Sequence, residues 1–93
     1  MASKGRLVLN HSTHIPGLLV ILEKLIHFPG IQTVTPGVIS RVKRHSPHLR
    51  LRVSVPIRGG FKLLARSGKT VQEVFVVTTL PQDRFSQLIA ELC

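Results

Sequence analysis

Residues 49–57 read LRLRVSVPI, and this run constrains the fold more than any other. Leu49, Leu51, Val53, Val55 and Ile57 alternate with Arg50, Arg52, Ser54, Pro56 and then Arg58. Successive side chains of an extended strand point to opposite faces, so the aliphatic set meets a core and the other set points outward. The strand thus carries Arg50, Arg52 and Arg58 on one face. Pro56 has no N–H to give to a ladder, which puts the strand at an edge or leaves its end unpaired.

The flanking segments supply the rest of an α+β chain. Arg6–Asn10 reads as a short strand. Ser12 or Thr13 offers an N-cap and Pro16 suits a first helical turn. Leu18, Leu19, Ile21, Leu22, Leu25 and Ile26 then recur at helical spacing, and Pro29-Gly30 ends the helix. His27 falls beside Glu23 and Lys24, off the apolar stripe. Ile31–Val34 and Val38–Lys43 read as strands joined through Thr35-Pro36-Gly37-Val38, which has the Pro and Gly of a type II turn. Gly59-Gly60 turns the chain into Phe61–Arg66 and Lys69–Thr78, a hairpin closed by Ser67-Gly68. That register sets Lys62 opposite Glu73, Phe61 opposite Val74 and Leu64 opposite Val71. Thr79 caps a last helix with Pro81 near its start, Asp83 in its first turn, and Phe85, Leu88, Ile89 and Leu92 as its stripe. The order is β-α-β-β-β-β-β-α. The expected fold is α+β: a mixed or antiparallel sheet, a meander of about five to six strands, with two helices on one face.

Ninety-three residues suit one domain, 1–93. A chain of this size hides only about 65% of its unfolded surface, which leaves little room for a deep cavity. With four Phe and no Trp or Tyr, the core must be aliphatic. No apolar run approaches the roughly 20 residues of a membrane span, and the first residues lack the long apolar segment of a secretory signal. The single cysteine, Cys93, excludes an internal disulfide; a reducing cytoplasm is expected.

Thirteen Lys and Arg face four Asp and Glu. Between Lys24 and Glu73 there is no acid, but there are nine cations: Arg41, Lys43, Arg44, Arg50, Arg52, Arg58, Lys62, Arg66 and Lys69. A face built only for solubility mixes both signs. A one-sign field collects polyanions, so the expected partner is nucleic acid, alone or in a ribonucleoprotein, with an acidic protein as the alternative and no membrane. Gly59-Gly60 allows close backbone approach to a phosphate. RNA is favoured over DNA because no basic helix presents itself for a major groove. Base stacking would fall to Phe61 or Phe75, and both read more naturally as core.

Four of the five histidines lie in two copies of His-Ser-x-His, HSTH at 11–14 and HSPH at 45–48. Five histidines in this length give about 0.3 HxxH pairs by chance. His11, His14, His45 and His48 could close a tetrahedral zinc site if the two loops meet. Against that, there is no CxxC or HExxH, few carboxylates are present to orient imidazoles, and Arg44 adjoins His45. An enzyme is not expected. The acids are scattered, Ser12 and His14 lack an orienting carboxylate, and Gly68-Lys69-Thr70 lacks the upstream glycine spacing of a phosphate loop.

The stretches LVLNHSTHIPGL, GIQTVTPGVISRVK and LRLRVSVPIRGGFKLLARSGKTVQEVFVVT resemble a small uncharacterised family of cyanobacterial and archaeal proteins. Its members are described as predicted metal-binding proteins with a domain of unknown function. The resemblance covers nearly the whole chain. It implies a metal and a prokaryotic cytoplasm, and assigns no ligand.

Overall fold

A computed structural model describes residues 5–9 and 13–92. The order is β1 (Arg6–Leu7), α1 (Leu18–Leu25), β2 (Ile31–Ile57), β3 (Gly60–Thr78) and α2 (Gln82–Leu92). The class is α+β with a mixed sheet in the order β1-β2-β3, where β1 runs parallel to β2 and β3 runs antiparallel to it. Three strands thus replace the five to six expected from the sequence, and β-α-β-β-α replaces the longer order.

The difference arises because expected turns are features inside long strands. Thr35-Pro36-Gly37-Val38 does not reverse the chain. Gly37 is not among the glycines with positive φ, which the type II turn requires at that position. Instead the register slips between Pro36 and Ile39, so the Pro-Gly pair makes an irregularity within β2. Ser67-Gly68 also lies within β3, with Gly68 at φ +61°, but there the chain does turn back.

A straight strand of 27 residues would span about 90 Å. The molecule is 43 Å long, so the β2–β3 ribbon doubles back. It bends at Gly68, with β3 inside and β2 outside. Between the pairs Arg41↔Thr70 and Arg50↔Arg66, β2 travels through residues 42–49 while β3 needs only 67–69, and Ser46 faces Gly68 at the bend. The outer path around a bend is longer, which accounts for the register shifts on either side of Ser46. The two halves of β3 meet as a result. Lys62 Nζ lies 3.2 Å from Glu73 Oε2, the ion pair expected from the hairpin register. On the other edge of each half, the residues of that register pair with β2: Phe61 faces Pro56, Leu64 faces Arg52, Val71 faces Ser40 and Val74 faces Pro36. At the other end Arg58-Gly59 forms the turn between β2 and β3, and the Thr78 N–H donates to the Gly59 carbonyl at 2.9 Å.

Both helices lie over one face of the ribbon. Leu18, Leu22 and Leu25 of α1 share a cluster with Phe85, Leu88 and Ile89 of α2 and with Val34, Leu63, Ala65, Val74 and Val76 of the strands. The Phe61 and Phe85 rings stack at 5.0 Å between centroids, tying β3 to α2. The α1 N-cap is Gly17 at φ +83°, without a side-chain cap; Thr13 lies upstream of it, and Ser12, Asn10 and Cys93 fall outside the described residues. Thr79 precedes Pro81, and its N–H donates to the Gly30 carbonyl at 3.1 Å. Thr78 Oγ1 donates to the same carbonyl at 2.7 Å and accepts from the Leu80 N–H at 3.1 Å. These bonds lock the end of β3 to the loop after α1. No helix among the described residues is long and apolar enough to cross a membrane.

Candidate nucleic-acid interface

Burial assigns the faces of the ribbon. Phe61, Leu63 and Ala65, and then Gln72, Val74, Val76 and Thr78, are buried, while the residues alternating with them are half-buried. The side away from the helices therefore carries Lys62, Leu64, Arg66, Glu73, Phe75 and Val77 from β3, with Arg50, Arg52, Thr33 and Thr35 as their partners on β2. Arg50 and Arg52 stand on the outward face, as their alternation with Leu51 and Val53 requires. Arg58 does not join them, because it occupies the turn after β2. The alternation also fails past the register shift at Val53, where Val55 is left 51% exposed.

Most of the predicted cations gather at the bend. Arg41, Lys43, Arg44 and Lys69 are exposed there, and Arg66 and Arg50 follow at the first regular pair beyond it. The apolar cluster draws no residue from 37–48 or 66–73, so this end of the ribbon extends past the core. Arg50 and Arg66 are direct cross-strand partners. Like charges directly opposed on a ladder destabilise it, so this position is costly unless an anion lies between them. Arg66 is held in place: its Nη2 donates to the Arg44 carbonyl at 2.9 Å, and its buried Nε has no partner among the described residues. Lys62 differs, because Glu73 already neutralises it.

The histidines behave otherwise. His14, His45 and His48 are exposed, and His11 lies outside the described residues. Ser46 Oγ donates to the His48 carbonyl at 2.9 Å, which fixes a compact kink between His45 and His48. The loop before α1 approaches this region, since a Cβ placed on Gly17 would stand 3.9 Å from Leu49 Cδ2. Among the described residues no three His, Cys, Asp or Glu side chains form a group that could hold a metal ion. The described donors do not fit a metal centre by themselves, and a site built on both His-Ser-x-His copies would need His11.

Sequence reasoning did not identify the Arg50–Arg66 pair. Sixteen positions separate the two residues; the Gly59-Gly60 turn brings their strands together, and the register shift between Val53 and Pro56 is what puts Arg66, and not Ser67, opposite Arg50. The signal that was present is the absence of any acid from the whole ribbon until Glu73.

A family model matches residues 2–92, and its description is predicted metal-binding protein (DUF2103). No curated protein and no solved structure matches the chain.

Proposed function

The chain belongs to this predicted metal-binding family, and within it we propose a non-enzymatic cytoplasmic protein that binds nucleic acid, RNA above all, through the bend and outer face of its ribbon. One observation carries the reading: Arg50 and Arg66 face each other across the ladder, at the end of the ribbon where Arg41, Lys43, Arg44 and Lys69 are also exposed. A phosphate between the two guanidinium groups converts a repulsion into two charge-assisted contacts. Phosphate contact is mainly electrostatic and independent of sequence, so broad binding with weak sequence preference is expected. Arg58 and Lys62 are minor contributors, the first for its position in the turn and the second for its pairing with Glu73.

The test is a salt titration of binding to a single-stranded oligoribonucleotide. Log affinity should fall with log salt by about 0.7 per phosphate contacted. Replacing Arg50, Arg52 and Arg66 with Gln should flatten that slope. Salt-independent binding, or no binding to any nucleic acid, rules the reading out. An acidic protein recovered in place of nucleic acid would transfer the surface to the alternative partner.

The second reading is zinc bound by His11, His14, His45 and His48. The family description supports it, as does the approach of the Gly17 loop to Leu49. Metal analysis of untagged protein decides: about one zinc per chain, lost in His14→Ala and in His48→Ala, is the expected result for that reading.

A further inference from the structure

We propose that Phe75 is a base-stacking platform, and that the strand recognised by this surface is therefore single-stranded; the inference rests on the nucleic-acid reading above. Three observations support it. Phe75 lies between Val74 and Val76, which are fully buried against the helices, so its own side chain belongs to the opposite face. On that face it is half-buried, and neither it nor Leu64, Val71 or Val77 belongs to the apolar cluster or packs against it. Its ring is also seated on glycine: a Cβ at Gly37 would stand 2.6 Å from Phe75 Cε2. Only a residue without a side chain lets the aromatic settle over the backbone there, which fixes the edge of the ring at Cε2.

Its neighbours suit a nucleotide. Thr35 is the cross-strand partner of Phe75 and offers a hydroxyl beside it. Two residues along β3, Glu73 is neutralised by Lys62, so the nearest acid does not repel a phosphate. Two residues beyond Lys62, Leu64 faces Arg52, and Arg66 faces Arg50 after that. The outer face thus runs from an aromatic to a row of guanidinium groups. Single-strand binders combine these two features, stacking bases on rings and following the backbone with cations. In an intact duplex, bases are not available to a ring on a flat sheet face. Phe61, the other aromatic of β3, is excluded from this role because it stacks on Phe85 in the core.

The experiment compares two probes that share charge and differ in bases: a twelve-nucleotide oligouridylate and inorganic polyphosphate of similar length. Phe75→Leu should weaken the oligouridylate about tenfold or more and leave polyphosphate unchanged. The chain has no Trp or Tyr, so Phe75→Trp introduces a single emitter at the site. Its fluorescence should be quenched by the oligouridylate and not by polyphosphate. Equal weakening of both probes in Phe75→Leu, no weakening of the oligouridylate, or an indole emission unchanged at saturation overturns the platform. Failure of the wild-type chain to bind either probe overturns the nucleic-acid reading beneath it.

Discussion

Replacing Arg50 with Glu separates what the ribbon loses in stability from what it gains in binding. In the native register Arg50 faces Arg66, whose guanidinium is anchored on the Arg44 carbonyl and cannot swing freely away. Arg50→Glu turns a like-charge pair into an opposite-charge one. Cross-strand charge pairs are worth about 0.2–1 kcal/mol each, and exposure of Arg50 keeps the value near the low end. Removing the repulsion and adding the attraction together should stabilise the fold by about 0.5–1 kcal/mol at low salt. For a chain of this size that is a rise of roughly 2–8 °C in Tm. Arg50→Gln, which removes the repulsion alone, should fall between the two. The assay is thermal unfolding followed by circular dichroism at about 20 mM and 500 mM salt, where screening should shrink the gain. Affinity for an oligoribonucleotide should fall in the same variant. A Tm that stays level or drops at low salt in both variants, with binding intact, would refute the opposed-arginine argument.

Other consequences follow from the bend and the core. Gly60→Ala would drive a Cβ into the Val76 carbonyl, with Val77 Cα only 3.0 Å away, so the closure of the ribbon must shift. A loss of about 1–3 kcal/mol is expected; the Cβ of Gly68→Ala meets nothing within 4 Å, but that variant should itself lose about 1–2 kcal/mol through its positive φ. A Gly60→Ala variant that melts with the wild type would contradict the doubling-back. Phe85→Ala removes the ring stacked on Phe61 from a fully buried site and should cost about 3–5 kcal/mol; a urea midpoint within error of wild type would show that α2 does not anchor the ribbon. For zinc, dialysis against a chelator should leave Tm unchanged if the nucleic-acid reading is complete, and should lower it if the His-Ser-x-His copies hold a structural ion.

Much of this was legible in the residues. Helical spacing placed α1 and α2 to within a few positions, and it identified Leu22, Leu25, Phe85, Leu88 and Ile89 as core. Alternation placed Leu51 and Val53 inward and Arg50 and Arg52 outward. The Lys62–Glu73 pair follows from the hairpin register closed by Ser67-Gly68, because the bend at Gly68 does bring those halves of β3 together. What failed were the strand boundaries. Pro36-Gly37 has the composition of a turn, but Pro36 is packed among buried residues and Gly37 lies under Phe75, so the chain runs on. Phe75 read as core because large aromatics usually are, and only the parity of β3 assigns it to the other face.

The sequence by itself determined where the two helices lie, which residues of them are core, and that every formal charge between Lys24 and Glu73 is positive. Each of these is a property of near neighbours, since period and charge are read over a few residues. Only the tertiary structure decided that the strands are two long partners bent on each other, that Arg66 is the residue facing Arg50, and that Phe75 stands over Gly37. Those contacts join residues far apart along the chain. Their register is set by how the ribbon closes over the helices, and nothing local to either partner records it.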